Sequence, residues 1–343
     1  MNGYERVQAT LAGRWPDRVP VMLHNFMPAA REAGFSMAQY RSDPKKIAAS
    51  FIRAVETYGL DGVMVDVDTA TLAEALGVPV EHPEDAPARC EGGCIDDLAQ
   101  VKFLPPPEIG RSVRVQVWLE AVRLLKAHFG DEMYLRGNCD QCPFSLASMM
   151  RTPTVWMMDL LDEDNRENVF GLLAHCTQAT KQFVGLMSAT GAHMVSNGDS
   201  PAGMDLISPE MYRIFARPSE KQIVEHAHAL GQAYVLHICG QVGGILDDML
   251  TMGVDGLDLD YKTDPRVAHG LMRDRAVFIG NLDPSGVVAL GSPALVERKT
   301  RELLEIFADT PRFILNSGCA LPSTTPPENL RAMIRVARTF RGD

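Results

Sequence analysis

Residues 233–283 read AYVLHICGQVGGILDDMLTMGVDGLDLDYKTDPRVAHGLMRDRAVFIGNLD, and three short apolar runs stand out in them. The runs are 233–240, 256–261 and 276–283, and each ends in a polar residue, glycine or cysteine. The residues between the runs have the composition and length of helices. Strands that alternate with helices pair in parallel, because each helix carries the chain back to the start of the next strand. This stretch therefore predicts consecutive strand–helix units of a parallel α/β fold.

The same alternation extends over the whole chain. Strands are predicted at 19–25, 62–68, 133–138, 193–199, 233–240, 256–261, 276–283 and 313–319. Helices are predicted at 44–58, 113–129, 153–190, 209–230, 242–252, 265–272, 293–308 and 327–340. Eight such repeats are typical of a (β/α)₈ barrel, in which the chemistry lies on the loops after the C-terminal ends of the strands. The sequence thus predicts one TIM barrel over residues 1–343.

The segment 78–113 interrupts this pattern. It is too long for a simple strand–helix connection and is rich in proline and acidic residues. We expect an insertion after the second strand, near the barrel mouth, and no second domain. A doubly wound open sheet is the alternative architecture. It is disfavoured because no glycine-rich phosphate loop follows the first strand and no Walker motif occurs elsewhere.

The composition and charge of the chain indicate which classes of binding partner and which cellular location to expect. Of the 343 residues, 46% are hydrophobic, which suffices for a large core, and the formal charge is -11 with scattered basic residues. Nucleic acid and anionic membranes are therefore not expected as partners. Residues 1–7 are polar and no apolar run reaches the ~18 residues of a membrane span. We expect a cytoplasmic protein, with a homodimer left open, whose seven cysteines are reduced thiols.

Polar side chains at the ends of the predicted strands would meet at one rim of the barrel. Three of them, Asp68, Asn197 and Asp199, are candidates for orienting a substrate or moving protons. Alternatively, they cap loops and helix N-termini at that rim. The candidates for contact with a substrate are His24, Asn138 and Asn281.

A metal site is the sharpest functional hypothesis. Residues i and i+2 of a strand point the same way, so His237 and Cys239 can present an imidazole and a thiolate to one ion. Cys319, after the last strand, would supply a third ligand from across the barrel. Two sulfurs and one nitrogen with an exchangeable fourth position are typical of catalytic zinc. The alternative is that these residues are ordinary core residues, as many free cysteines are.

Four further cysteines form two short pairs. Cys139 and Cys142 follow the third strand, and Cys90 and Cys94 lie in the insertion. Their irregular spacing indicates a second metal or redox site only weakly.

Several short motifs occur in a shared order. They are YRSDP at 40–44, EALG at 74–77, DLISPE at 205–210, LHICG at 236–240, GNLDP at 280–284, GCALP at 318–322 and TPPEN at 325–329. Together they resemble the uroporphyrinogen decarboxylase superfamily. More narrowly, they are similar to its zinc-dependent corrinoid methyltransferases, which include the methanol and methylamine methyltransferases that use coenzyme M and related bacterial demethylases.

The resemblance implies a barrel fold and a specific chemistry. It places Zn²⁺ on His237, Cys239 and Cys319. The similar ligand arrangement of cobalamin-independent methionine synthase adds a carboxylate beyond the His-x-Cys pair, for which Asp260 is better placed than Asp258. The methyl group would travel on a corrinoid (cobalamin) held by a separate protein. The other substrate would be a small molecule, either a thiol acceptor or a methoxylated or methylated donor.

The sequence also departs from the decarboxylases themselves. Those enzymes carry an Arg-Gln-Ala-Gly-Arg segment directly after the first strand, where this chain has NFMPA at 25–29, and the partial match REAGF at 31–35 lacks the second arginine. Asp68 does match their catalytic aspartate. Without the arginine pair the carboxylates of uroporphyrinogen would be poorly neutralised. A metal-independent decarboxylase of another substrate and a non-catalytic partner of a corrinoid protein are the two alternatives.

Overall fold

Eight parallel strands form a barrel in the computed structural model, which describes residues 1–340. The strands are β1 (Met22–Leu23), β2 (Gly62–Val65), β3 (Tyr134–Gln141), β4 (Met194–Gly198), β5 (Ala233–Ile238), β6 (Gly256–Leu259), β7 (Val277–Leu282) and β8 (Phe313–Ser317). Each strand pairs with the next in sequence order. A parallel bridge between Val21 and Leu315 joins the first strand to the last. The predicted (β/α)₈ fold is confirmed.

Helices surround the barrel. They are α1 (Gly3–Leu11), α2 (Phe26–Glu32), α3 (Met37–Ser42), α4 (Pro44–Tyr58), α5 (Thr71–Ala75), α6 (Val113–Phe129), α7 (Pro143–Arg151), α8 (Pro153–Asp159), α9 (Arg166–Ser188), α10 (Pro209–Met211), α11 (Arg217–Ala229), α12 (Leu246–Leu250), α13 (Pro265–Met272), α14 (Pro293–Ile306) and α15 (Pro327–Thr339). Short 3₁₀ turns occur at Leu98–Phe103, Ile109–Arg111 and Ser200–Ala202, and π-helical turns at Tyr212–Ala216 and Pro284–Ala289. Among residues 1–340, no helix has both the length and the apolar character needed to cross a bilayer.

The predicted helix 153–190 is wrong in one respect. The structure has two helices there, α8 and α9, and an additional helix, α7, directly before them. Thr152 separates α7 from α8 with a φ of 76°, a value that a helix interior does not accommodate. Because Thr152 precedes a proline, the helical conformation is also disfavoured at that residue.

The segment 78–113 contains a small antiparallel pair of strands, Val80–Glu81 with Arg89–Cys90. The guanidinium of Arg41 in α3 donates to the carbonyl oxygens of Pro83 and Ala86 and so fixes the turn between the two strands. That the chain is one domain, with this segment as an insertion at the mouth, stays a prediction.

The N-terminal end of the barrel is closed by α1. Val7 of this helix packs with Met22, Tyr134, Val277 and Ile314 in a buried cluster inside the barrel. The opposite, C-terminal end is therefore the open one, and the loops that leave the strands there carry the candidate site.

Candidate active site

Three side chains from two distant parts of the chain converge at the C-terminal end of the barrel. His237 is the second-last residue of strand β5, Cys239 directly follows that strand, and Cys319 follows β8. The Nε2 atom of His237 lies 3.1 Å from the Sγ atom of Cys239, which lies 3.8 Å from the Sγ atom of Cys319. The three potential ligand atoms all lie within 4.8 Å of one another. A single metal ion can therefore contact all three.

Cys319 reaches this point because the preceding residue is a glycine. A Cβ atom on Gly318 would lie 2.4 Å from the backbone nitrogen of Tyr261, closer than real atoms approach. The amide of Gly318 donates to the carbonyl oxygen of Leu282 at 2.7 Å, and the hydroxyl of Ser317 donates to that of Cys319 at 2.7 Å. These contacts hold the loop after β8 against the loops after β6 and β7.

The imidazole of His237 is oriented by the neighbouring strand. Its Nδ1–H donates to the carbonyl oxygen of Asp258 at 2.8 Å, so the Nε2 atom is left to face the cysteines. A hydrogen bond at the distal ring nitrogen is the usual way in which proteins fix a metal-binding histidine. The carboxylate of Asp258 in turn forms an ion pair with Arg136 at 2.6 Å.

Electrostatics favours a thiolate at Cys239. A hydrogen bond from the Cys319 thiol, and then the charge of His237, lower the pKa of Cys239 to about 3 against the opposing effect of burial. Burial lowers the pKa of His237, but the charge of Cys239 outweighs it and raises that pKa to about 10. The shared hydrogen bond with Cys239 raises the pKa of Cys319. Two sulfurs, one already stabilised as a thiolate, and one imidazole are donors that suit Zn²⁺.

The three residues open onto a cavity of about 230 Å³ inside the barrel mouth. Its lining residues come from strands β2 to β5, from the segments that follow β1, β2, β4, β5 and β8, and from the segment 78–113, which contributes Pro87. The polar and charged residues of the lining are His24, Asp66, Asp68, Thr69, Arg136, Asn138, Asp140, Gln141, Asn197, Ser200, His237, Cys239 and Cys319. A cavity of this size at the open end of the barrel can hold a small molecule beside the three potential ligands.

The family model described as "Uroporphyrinogen decarboxylase (URO-D)" matches residues 2–340. The chain belongs to the uroporphyrinogen decarboxylase family. The resemblance inferred from the motifs is thereby confirmed.

Relatives of two kinds share this family. The chain is 27% identical over 342 residues to methylcobamide:CoM methyltransferase MtbA of Methanosarcina acetivorans, covering 98% of each chain. It is also 27% identical to uroporphyrinogen decarboxylase of Alkalilimnicola ehrlichii, covering 96% of this chain and 92% of that one. A solved methyltransferase from Methanosarcina mazei superimposes with a TM-score of 0.89 at 23% identity, covering 98% of both chains, which shows the shared fold.

The region after β1 contributes no arginine to the cavity. Residues 26–32 form helix α2, and Arg31 on it is exposed and donates to the carbonyl oxygen of Ser323 at 2.9 Å. Arg31 does not line the cavity. The side chains that this region does contribute to the lining are the apolar Phe26 and Met27.

Four of the predicted polar residues line the cavity. The Nε2 atom of His24 and the Nδ2 atom of Asn138 both contact the carboxylate of Asp66, at 2.6 and 3.0 Å. Asp68 accepts from the amides of Ala70 and Thr71 and is paired with Arg114, while burial raises the pKa of its carboxyl. Asn197 donates to the carbonyl oxygen of Cys139 at 2.6 Å and accepts from Tyr234.

Three other predicted residues lie outside the cavity lining. Asn281 donates to the carbonyl oxygens of Asp260 and Thr263 and so ties two loops together. Asp260 accepts from the amide of Lys262 at 2.9 Å, and its carboxylate is not part of the cluster of potential ligands. Asp199 is fully buried and accepts from the amide and hydroxyl of Ser145.

Six polar lining residues were not among the sequence candidates, namely Asp66, Thr69, Arg136, Asp140, Gln141 and Ser200. Arg136 lies in β3 with the same parity as Asn138, and a charged residue at an inward position of a strand is the signal that could have identified it. Asp140 stands between the two cysteines of the Cys139 and Cys142 pair, which drew attention to the sulfurs instead. Both thiols are buried, and within residues 1–340 the only cluster of three or more potential metal ligands is that of His237.

Proposed function

We propose that the chain is a zinc-dependent methyltransferase. It exchanges a methyl group between a corrinoid carried by a separate protein and a small molecule bound at the metal. The observation that carries this proposal is the convergence of His237, Cys239 and Cys319 on one point of a small cavity at the barrel mouth. The methylcobamide:CoM methyltransferases among the relatives, which match over nearly the whole chain, support the same class of reaction.

Residues of this chain would hold the metal and keep the substrate beside it. His237, Cys239 and Cys319 would hold the zinc, and the carbonyl of Asp258 keeps the imidazole in the required orientation. Zinc bound there would supply a Lewis acid beside which a thiol loses its proton readily while its sulfur stays nucleophilic. The walls of the cavity keep the substrate close to the mouth, where a docked corrinoid protein can reach it.

The reaction balances in either direction. With a thiol acceptor, the sulfur–carbon bond forms as the carbon–cobalt bond of methyl-Co(III) breaks, the electron pair stays on cobalt as Co(I), and the thiol proton is released. With a methylated donor, Co(I) attacks the methyl group and the oxygen or nitrogen leaves and takes up a proton. Asp68, which Arg114 and two backbone amides fix in place, would orient the substrate in both cases.

The two cysteines of the cluster provide the decisive experiment. We expect Cys239→Ser and Cys319→Ser to lose most of the bound zinc and at least about 100-fold of the turnover of methylcobalamin, because hydroxyl oxygen is a weak ligand for zinc. Zinc is measured by inductively coupled plasma mass spectrometry on protein purified under reducing conditions. Cys94→Ser, at an exposed cysteine, is the matched control and should keep both properties.

Two results would refute the proposal. Wild-type protein that carries no zinc and still acts on a carboxylated substrate would indicate a metal-independent decarboxylase. Serine variants that keep full function in cells would indicate a non-catalytic partner of a corrinoid protein.

A further inference from the structure

A histidine–aspartate pair lies in the wall of the cavity, separate from the three potential zinc ligands. The Nε2 atom of His24 lies 2.6 Å from the Oδ2 atom of Asp66. Both residues line the cavity that contains His237 and the cysteines. Within residues 1–340, neither of them belongs to the cluster of potential metal ligands. The candidate zinc site therefore does not account for this pair.

The surroundings of Asp66 fix which nitrogen of His24 carries a proton. The Oδ1 atom of Asp66 accepts from the backbone amide of Val67 at 2.9 Å and from the Nδ2 atom of Asn138 at 3.0 Å. The amide of Asn138 is itself oriented, because its oxygen accepts from the hydroxyl of Ser196 at 3.3 Å. The Oδ2 atom of the same carboxylate accepts from His24. An imidazole that donates from Nε2 has its lone pair on Nδ1.

This second nitrogen of His24 is available to a substrate. Among residues 1–340 the Nδ1 atom has no hydrogen-bond partner, and it is not one of the fully buried polar atoms that lack a partner. The side chain of His24 keeps 11% of its surface, and the residue lines the cavity. A small molecule in the cavity can therefore contact the lone pair of Nδ1.

The backbone of His24 is joined to the loop that carries Cys319. Its amide donates to the side-chain oxygen of Asn316 at 2.9 Å, and its carbonyl oxygen accepts from the amide of Leu321 at 2.9 Å. One partner precedes Cys319 and the other follows it. The ends of β1 and β8 thus bring His24 and Cys319 to the same cavity of about 230 Å³, where one small molecule can lie between them.

The other titratable or charged side chains of the lining do not offer an accessible base. They are Asp68, Arg136, Asp140, His237, Cys239 and Cys319, of which the last three form the candidate zinc site. Asp68 is paired with Arg114, and Arg136 is paired with Asp258. The unpaired oxygen of Asp140 is fully buried, so a substrate does not reach it. Outside the lining, the hydroxyl of Tyr40 donates to the carbonyl oxygen of Asp66 at 2.6 Å.

We propose that His24 takes the proton of a thiol substrate and holds it while the thiolate is bound. This step rests on the proposed function in its thiol-accepting direction. The sulfur–hydrogen bond breaks with its electron pair on sulfur, and the proton forms a bond to the Nδ1 atom of His24. The carboxylate of Asp66 stabilises the resulting imidazolium, so Asp66 and Asn138 are positioning residues.

The methyl transfer then proceeds without a further reactant. The sulfur–carbon bond forms as the carbon–cobalt bond of methyl-Co(III) breaks, and the electron pair of that bond stays on cobalt as Co(I). A thioether carries no negative charge on sulfur, so the product no longer favours the imidazolium. His24 releases its proton to solvent as the product leaves.

The number of protons released when a thiol binds tests this step without turnover. 2-Mercaptoethanesulfonate is titrated into zinc-loaded protein by isothermal titration calorimetry, in buffers of different ionisation enthalpy and at pH values from 6 to 9. A thiol that ionises into the buffer releases about one proton near pH 7, because a free thiol is almost fully protonated there. We expect wild-type protein to release less than about half a proton, since His24 keeps it. Release of about one proton at every pH below 8 would overturn the proposal.

Substitution of His24 should return the proton to the buffer. His24→Gln keeps a donor for Asp66 but takes no proton. We expect it to release about one proton per thiol near pH 7 and to bind the thiol at least about tenfold more weakly there. This difference should shrink by pH 9, where the thiol ionises by itself. Proton release equal to that of the wild type over the whole pH range would overturn the proposal.

Two further variants test the positioning role and the specificity of the effect. Asp66→Asn keeps an acceptor for the Nε2–H group and removes the charge that stabilises the imidazolium. Its proton release should lie between those of wild type and His24→Gln. Release equal to that of wild type would exclude Asp66 from this role. The exposed His128→Gln is the matched control and should behave as the wild type.

Metal analysis of the same samples distinguishes this proposal from the proposed function. Zinc content should stay at the wild-type level in all three variants, and zinc lost from His24→Gln would make His24 a metal ligand and overturn the proposal. Protein that holds zinc and demethylates a methoxylated aromatic compound, but binds no thiol at millimolar concentration, would also overturn it and keep the methyltransferase. Wild-type protein without zinc would refute the proposed function and this step together.

Discussion

Asp199 and Glu220 form a carboxyl pair in the wall of the barrel. Both are fully buried, and the Oδ2 atom of Asp199 and the Oε1 atom of Glu220 receive no hydrogen bond from any other group among the described residues. Ser145 donates to Asp199 at 2.6 Å, and the hydroxyl of Tyr212 donates to Glu220 at 2.5 Å. Burial raises the pKa of Asp199 to about 6, and burial together with the charge of Asp199 raises that of Glu220 further. We therefore expect Glu220 to keep its proton and to share it with Asp199.

This pair predicts a fall of stability with rising pH. A carboxyl whose pKa is raised in the folded state stabilises the fold below its ordinary pKa, and that stability is lost as the pH rises through the folded value. We expect the free energy of unfolding to fall between pH 4 and 7, by on the order of 2 kcal/mol. In Glu220→Gln the amide can donate to Asp199 without titrating, so this fall should shrink.

Urea denaturation at pH 5 and pH 7.5 measures the effect. The exposed Glu210→Gln is the matched control and should follow the wild type. Parallel curves for Glu220→Gln and wild type would show that the two carboxyls do not share a proton.

Residues of the site were predictable from the sequence only where the sequence also indicated the direction in which their side chains point. His237 and Cys239 share a face because strands have a period of two, and Cys319 was added by its motif. For Asp199 and Asn281 the sequence correctly placed the residue at the end of a strand. The hydrogen-bond partners of its side chain, however, come from neighbouring loops, and the sequence does not show which groups those are. The inward position of Arg136 in its strand was readable from the sequence, but its partner, Asp258, was not, because that pairing depends on how the barrel closes.

At the scale of elements, the loop after β8 determines whether the third sulfur reaches the cluster. Gly318→Ala would place a methyl group against the backbone of Tyr261 and Asp260 and push the loop away. We expect a loss of about 1–3 kcal/mol of stability and a clear loss of zinc affinity, because Cys319 is the next residue. Competition with a chromogenic chelator measures the affinity.

An alanine substitution at a second glycine, where there is room for a methyl group, is the control for Gly318→Ala. Gly270 lies inside α13, and a Cβ atom there would meet no atom within 4 Å. Gly270→Ala should leave zinc affinity unchanged and raise stability slightly through helix propensity. If Gly318→Ala bound zinc as tightly as Gly270→Ala, the close packing of this loop would not be what positions Cys319.

Strands and helices were predictable from the sequence where a clear local pattern of apolar residues marks them. All eight strands lie where their apolar runs predicted them, yet β1 shrinks to two residues and β3 extends to Gln141 through an irregular register. The short helices α2, α5 and α7 on the mouth side escaped prediction because a few residues carry too little periodicity. They fold there because the barrel packs against them, which a local pattern does not reveal.

At the scale of the whole molecule, the barrel separates stability from function at its two ends. Asp61, before β2 at the closed end, is 1% exposed and accepts from Arg6 at 2.9 Å, from Arg18 at 2.7 Å and from the amide of Val21 at 3.0 Å. It thereby joins α1, β1 and β2. The mouth contributes none of these groups, so damage at this end should spare the metal site.

Asp61→Asn tests that separation. The neutral amide leaves two arginines without their buried counter-ion, and we expect about 3 kcal/mol of lost stability with unchanged zinc content per folded chain. Asp17→Asn removes another partner of Arg6, but this carboxylate is 44% exposed, and such surface pairs contribute under about 1 kcal/mol. Thermal unfolding and metal analysis on the same samples give both readouts. Zinc lost together with stability in Asp61→Asn would mean that the two ends of the barrel are coupled, because the strands that carry His237 and Cys319 would then depend on the closure made by α1.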